Sequence, residues 1–585
     1  MQPRIVQSVF LGVLRGEAEQ RPQHWQMANQ VHDPSALPQS ARGSVPGGRE
    51  AEAGPWSRLG DQAAAERDSL VNTREELRQI WSHLAEIRAQ IETLGLQLAE
   101  LVRWVRLIRT IGETVPPWLR RLIYQAIRLP KACAAALDRG GRKTAPLPPG
   151  AAGSNIAVVG QLPRTVSKHI FALAVSRLRQ FPPFQPGDYL ELHPGVRAFG
   201  AEPHAHALRT GAFESQQLFR PERIVRFLGG PDEKQLSEES AATAACGEIL
   251  KSPAEIPPIG LYTSSHGNIF RREIAAGLLA DLRQARLRVE ARDETSARKN
   301  RPPLCVFVAP HEFFTLGRGP EWVCDEILST SFMYTTEQMQ TASFGLSLPF
   351  VLMARGVIDV CAQTAALFRE ASVPALYLEP TPRPEAPLIE ADLAHPLYRA
   401  LPDSARRPAD PLALLSSRAI EISFFGAESP RRGAFFARNA PFLAGYDTFL
   451  YCRRQQWEPT QAGTDDGALT RLAAHVSAHS RVTLNLHQDE FGYFEWHRIV
   501  RLGMCSGSVV VSEPCLPHRS FKAGIHYFEE HARHIPNLLE WLLRSRDGRE
   551  RAEEVRNNAF KAIAQESERN RVPAKLVEFL LAHRG

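Results

Sequence analysis

Five apolar residues, LCVFV, run directly into Ala309-Pro310-His311-Glu312. A buried strand ending there would set an imidazole beside a carboxylate at a sheet edge, a pairing suited to general-base work. In YFEWHRIV, Glu495 and Arg498 stand three apart and so share one helix face. They form either an intrahelical ion pair or a carboxylate and a guanidinium offered to a polar ligand. In FFGAESPRRG, Gly426 is followed by a loop and then by Arg431-Arg432 at a helix start. Those arginines are either oxyanion ligands, since the guanidinium fork matches paired oxygens, or solvated surface charges. His266 lies in the polar loop SSHGN between an apolar run and a helical one. Gly267 lets the backbone approach a ligand there, and the helix start favours anions. His266 is a base or ligand on one reading and a loop residue without a role on the other.

These groups need a scaffold that brings strand ends together. Apolar runs at 259–263, 304–309, 331–334, 357–360 and 375–379 alternate with helical stretches such as 269–289 and 322–328. After a Pro-rich connector (380–412), strands at 420–425, 448–451, 482–487 and 508–512 repeat the pattern. The segment 482–512 reads as strand, loop, helix (493–505) and strand, which closes as a right-handed parallel crossover. Terminal helices follow at 536–545, 549–566 and 573–583. The expected fold class is α/β, with two Rossmann-like lobes at 256–380 and 413–585 and a cleft between them.

The first quarter of the chain differs. Residues 1–66 are rich in Gln, Pro, Gly, Ser and Ala without an apolar period, which predicts disorder. Within 67–143, Leu77, Ile80, Leu84, Ile87, Ile91 and their successors to Ile108 alternate steps of three and four. That is an a/d seam predicting a coiled coil and a homo-oligomer through 77–108, with the strand number open. The amphipathic helix at 118–129 suits either docking on the body, the reading adopted, or peripheral contact with an acidic membrane face. A linker at 144–153 leads to 154–250, an accessory region with a strand at 155–160 and a helix at 167–181, expected as a small α/β unit.

At 585 residues the chain exceeds a single core. A net charge of +6 from dispersed arginines argues against a nucleic-acid partner. Eight cysteines without a CxxC pair predict reduced thiols in a cytoplasmic protein. No window is apolar enough to span a bilayer, and the start lacks the cleavage pattern of a signal peptide.

Taken together, residues 256–545 resemble GT-B glycosyltransferases, and within them a bacterial family-1-like group. The resemblance rests on PHEFF, the segment at 335–338, the FxG…R segment, Glu495-x-x-Arg498, Val-Val-Ser512-Glu513, and Phe521, Gly524 and Tyr527 downstream. Thr335 stands where that group often carries Asn, and the helix lacks the two Glu residues eight apart found in many retaining members. The resemblance implies a nucleotide-sugar donor in the second lobe and an unidentified acceptor in the first. It puts Gly426 with Arg431 or Arg432 at the diphosphate, Glu495 at the ribose, and Arg498, Ser512 and Glu513 in the donor wall. It assigns His311, Glu312 and His266 to the acceptor side, with Glu337 and Gln338 bonding sugar hydroxyls. The bland alternative for Glu337 is a helix-start carboxylate favoured by the macrodipole. No metal or cofactor is expected, because Asp465-Asp466 is not the DxD of the other glycosyltransferase fold. Two other functions fit the layout: a sugar-nucleotide epimerase, and a non-catalytic coiled-coil scaffold with a degenerate GT-B part.

Overall fold

The computed structural model describes residues 162–585 except 164, 215, 230–249, 251, 384–387, 454–458, 462, 519–520, 569–570 and 585. The disordered segment, coiled coil, amphipathic helix and strand at 155–160 expected from sequence lie outside the described residues.

Two all-parallel sheets form the body. The first contains β1 (Ile259–Tyr262), β2 (Val289–Arg292), β3 (Leu304–Val308), β4 (Phe332–Thr335), β5 (Gly356–Asp359) and β6 (Ala375–Tyr377). Its order is β2-β1-β3-β4-β5-β6. The second contains β7 (Ile420–Ala427), β8 (Thr448–Arg453), β9 (Ser480–Asn485), β10 (Val509–Ser512) and β11 (Phe528–Glu529), ordered β11-β10-β9-β7-β8. β1, β3, β4, β5 and β10 are buried at every residue. That is why their sequences are continuous apolar runs rather than alternating ones.

β2 departs from expectation. The helix expected over 269–289 stops at Gln284, Arg286 turns the chain with φ 61°, and the following residues add an edge strand. β2 has no apolar run because none of its four residues is fully buried.

The helices that matter for the site are α1 (Lys168–Gln180), α2 (Ile269–Gln284), α3 (Pro310–Phe313), α4 (Ala342–Met353), α5 (Ala362–Glu370), α6 (Pro430–Leu443), α7 (Asp465–Ala478) and α8 (Arg571–Ala582). The region 162–228 is helical, with no strand among its described residues, in place of the α/β unit expected there. It shares one core with the first sheet: Phe181 meets Phe368 on α5 at 5.4 Å and Phe219 meets Phe344 on α4 at 6.2 Å. On the other side of that sheet, α2 and α8 pack together through Leu278, Leu282, Leu576, Val577 and Leu580. The last helix of the chain therefore returns to the first lobe, although its sequence neighbours belong to the second.

The helix expected at 493–505 is replaced by a π-helical segment, His497–Gly503, and a 3-10 turn, Met504–Ser506. A Cβ on Gly503 would lie 2.2 Å from Val510 Cγ2, so only glycine lets this segment press against β10. Single-turn π segments occur disproportionately at functional sites. The described cysteines (305, 324, 361, 452, 505 and 515) are free thiols. No helix among the described residues is long and apolar enough to cross a membrane.

Because Leu580 is fully buried between α8 and the first sheet, Leu580→Ala should lower unfolding free energy by about 2–5 kcal/mol. Urea denaturation monitored by Trp fluorescence measures this. A change within roughly 0.5 kcal/mol would mean that α8 is peripheral to the fold.

Candidate active site

Residues just beyond the carboxyl ends of β4, β5, β7, β8 and β9 line a cleft of about 760 Å³ shared by both lobes. Strand ends in parallel sheets leave backbone groups and loop side chains free to meet a ligand.

On the second lobe, two guanidiniums dominate. Arg432 is 1% exposed; its Nε and Nη2 donate to the Leu486 carbonyl at 3.0 and 2.8 Å, and its Nη1 donates to Ala427 at 2.7 Å. Arg498 donates through Nε to the Phe425 carbonyl at 2.9 Å and through Nη1 to Asn485 Oδ1 at 2.6 Å, with Leu486 O at 3.4 Å. Both cations lie over the ring of Phe424, at 5.6 and 5.7 Å from its centroid. Ser429 caps α6 at the Arg432 N–H and fixes where Arg432 begins. Gly426 is required by proximity: a Cβ there would meet Phe424 at 2.7 Å and Arg432 Nη1 at 3.2 Å. Burial, then Arg498, push Arg432 down to about 9, still charged at neutral pH. No carboxylate among the described residues forms an ion pair with Arg432.

Glu495 sits beside this pair, 3.8 Å from Arg498 Nη1. Burial raises its pKa, but Arg498 and Arg432 outweigh it and hold the carboxyl below its ordinary value. His497 lines the same cleft and stands edge-on to Phe270 at 4.5 Å. Burial, then Arg501 and Arg498, push it far below the usual imidazole range, so it stays neutral.

The first lobe contributes a buried ionic cluster. Arg271 Nε donates to Glu337 Oε1 at 3.0 Å and lies 4.0 Å from Glu312 Oε1. His311 Nε2 is 3.8 Å from each carboxylate, and its Nδ1 meets Ser347 Oγ at 3.2 Å. The Asn268 N–H donates to Glu312 at 2.9 Å. The chain enters this cluster through Ala309, a non-glycine residue at φ 52°, a strained conformation of the kind that gathers at functional sites. Burial, despite Glu337 and Glu312, lowers His311.

Of the residues singled out from sequence, Gly426, Arg432, Glu495, Arg498, Glu337 and Gln338 meet at the cleft. The others stand behind or beside it. Arg431 forms a two-pronged ion pair with Glu513, whose Oε2 also accepts the His487 N–H at 2.8 Å. Ser512 is buried and accepts from Asn485 at 2.9 Å. His311 and Glu312 lie behind Arg271 and Glu337, buried and away from the cleft lining. His266 points away, its side chain 61% exposed, while its carbonyl accepts from Gln461 at 2.8 Å.

Sequence reading missed Arg271, Arg453 and Arg501, and weighed Asp466 only as part of a metal motif; all four are in the cleft lining. Arg271 carried a signal: a cation in a helix's first turn opposes the macrodipole, so an acidic partner must hold it there. The others lacked one, because they meet the cleft only through tertiary packing. Among the described residues no cluster of His, Cys, Asp and Glu is arranged as a metal site.

Polar bonds cross between lobes at the cleft. Gln338 Nε2 donates to Glu495 at 3.3 Å, the Met339 N–H to Tyr493 Oη at 3.1 Å, and Gln363 to the Pro517 carbonyl at 2.8 Å.

No protein-family model matches the chain, and no curated protein matches it in sequence. Among solved structures it is similar to glycosyltransferases. One is an alpha-glucosyltransferase (AGT) in complex with UDP, at 10% identity and TM-score 0.33, covering 53% of this chain and 96% of that one. Another is an alpha-glucosyltransferase with UDP and a 13-mer DNA containing an HMU base, at 10% identity and TM-score 0.28, covering 56% and 96%. TarM is similar at 9% identity and TM-score 0.29, covering 47% and 54%. Similarity this low does not assign a role.

The ionic cluster has a pH signature. Burial raises Glu337, but Arg271 and His311 outweigh it and hold the carboxyl at about 2, against 4.5 for a free glutamate. A carboxyl depressed on folding stabilises the fold above its unfolded pKa, and that contribution fades as pH falls toward the folded value. Glu337→Gln should therefore lose on the order of 3 kcal/mol at pH 7. The deficit should narrow as pH drops from 4.5 toward 2, read from urea midpoints at each pH. A deficit constant across that range would disprove the depressed pKa.

Proposed function

We propose that the chain is a metal-independent glycosyltransferase of the GT-B kind, moving a sugar from a nucleotide-sugar donor to an acceptor held by the first lobe. One observation carries the reading: Arg432 and Arg498, side by side over Phe424, are preorganised by backbone oxygens at the strand ends. Two fixed guanidiniums in a water-poor site match a diphosphate, and they stabilise most strongly the charge that grows as the sugar–phosphate bond breaks. Each guanidinium has five N–H donors; the backbone holds the group in place without claiming all of them.

Glu495, held ionised, accepts hydrogen bonds from donor hydroxyls. Glu337 and Gln338 are the first-lobe groups at the cleft. With so low a pKa, Glu337 is a weak base and serves as a hydrogen-bond acceptor for hydroxyls. His311 supports it from behind. Of the two arginines expected at the diphosphate, Arg432 is the one free to meet it, since Glu513 already neutralises Arg431.

A thermal-shift screen of the full chain against UDP, GDP, ADP, CDP and dTDP, with and without Mg²⁺, tests this. A nucleotide at 100 times its Kd stabilises by about 2.7 kcal/mol, a rise of a few degrees. The rise should not need Mg²⁺ and should disappear in Arg498→Lys, which keeps the charge but loses the fork. A folded sample indifferent to every nucleotide would leave the scaffold reading in its place. Conversion of a nucleotide sugar without any acceptor would favour the epimerase.

A further inference from the structure

His497 is held from the other lobe as well as its own. Its ring stands edge-on to Phe270 of α2, with the centroids 4.5 Å apart. Nearly one turn further along α2, Glu273 forms an ion pair with Arg501. Arg501 Nη1 in turn lies 3.3 Å from His497 Nε2. Phe270 and Glu273 are three residues apart and His497 and Arg501 four, so each pair lies on one side of its own segment.

This arrangement fixes where the imidazole proton sits. A guanidinium only donates, so the ring nitrogen facing Arg501 must accept. Burial and then Arg501 keep the ring neutral, and a neutral imidazole has one accepting nitrogen and one N–H. With Nε2 accepting, the hydrogen is on Nδ1. Nδ1 has no hydrogen-bond partner among the described residues and is not buried, and His497 lines the cleft. The cleft therefore contains a neutral N–H with nothing to donate to. Arg498, one of the two guanidiniums over Phe424, is next in the chain. Arg271 and Arg453 are also close enough to bear on the ring's charge. A free N–H in cationic surroundings matches an oxygen that carries negative charge.

We propose that His497 is a binding residue of the donor site, donating from Nδ1–H to a diphosphate oxygen, and that Arg501 is the positioning residue that sets its tautomer. The proposal rests on the donor reading above. The contact meets charge that grows as the sugar–phosphate bond breaks, and it does so without adding a cation to a crowded set. The ring gives a hydrogen bond and keeps its proton.

The test is isothermal titration of the full chain with inorganic pyrophosphate and with UDP, GDP, ADP, CDP and dTDP, beside nitrogen-15 NMR of histidine-labelled protein. The His497 signals are those lost in His497→Asn. In the parent they should report Nδ1 protonated and Nε2 bare, and the Nδ1 resonance should move when pyrophosphate is added. Arg501→Met should let the Nε2–H form appear. His497→Leu should weaken pyrophosphate, and whichever nucleoside diphosphate binds, by about tenfold or more. His497→Asn, whose amide nitrogen sits near the place of Nδ1, should recover most of that loss. Affinity unchanged in His497→Leu overturns the proposal and leaves the donor reading intact, as does an Nε2–H ring in the parent. An equal loss in the Leu and Asn variants also overturns it, because the ring then acts by packing on Phe270. A tautomer indifferent to Arg501→Met removes Arg501 from the positioning role. A parent that binds neither pyrophosphate nor any of these nucleotides defeats the donor reading itself.

Discussion

Two guanidiniums share one aromatic ring and one carbonyl, and much of the second lobe is organised around keeping them there. Like charges at close range in a poorly solvated site repel, and each has lost much of its hydration. What offsets this is a set of backbone oxygens, Ala427, Phe425 and Leu486, that exist as acceptors only because β7 and β9 end where they do. Gly426 must lack a side chain, Ser429 must cap α6, and Asn485 must turn its amide oxygen toward Arg498. The Phe424 ring adds a cation–π surface to both. An anion arriving between them relieves the repulsion, so the site is poised for negative charge.

The first lobe solves the opposite problem. It gathers two carboxylates and one guanidinium around an imidazole, with Arg271 and then His311 holding Glu337 ionised. The cationic pair of the second lobe therefore faces a first-lobe wall on which Arg271 and Glu337 offset each other. Bonds such as Gln338 to Glu495 join the walls through neutral amides, which bring a carboxylate into reach without adding charge. α8 reinforces the arrangement from a distance, since the chain leaves the second lobe and packs its last apolar face on the first sheet.

Much of the α/β plan could be read from the sequence, for a physical reason. Strands buried on both faces must be largely apolar, so β1, β3, β4, β5 and β10 appear as runs. β2 and β11 escaped notice because Val-Glu-Ala-Arg and Phe-Glu carry no apolar run, whereas the edge strands β6 and β8 do. The helical region at 162–228 was hard to read because its apolar residues face another element's core rather than a face of their own. The π-helical segment was read as an ordinary helix, since its departure arises from contact with β10 at Gly503 and not from local propensity.

The site divides along the same line. The sequence alone determined that Gly426, Arg432, Glu495 and Arg498 occur where strands give way to helices, because residue type, spacing and strand ends are local properties. It could not distinguish Arg431 from Arg432. The tertiary structure did, by placing the Glu513 carboxylate against Arg431 and only backbone oxygens against Arg432. In the same way it put Arg271 and Glu337 in front of His311, and brought Arg453 and Asp466 to the β8 end. Those outcomes depend on which groups meet across separate elements, and pairing across space sets both the charge a residue presents and whether it faces a ligand.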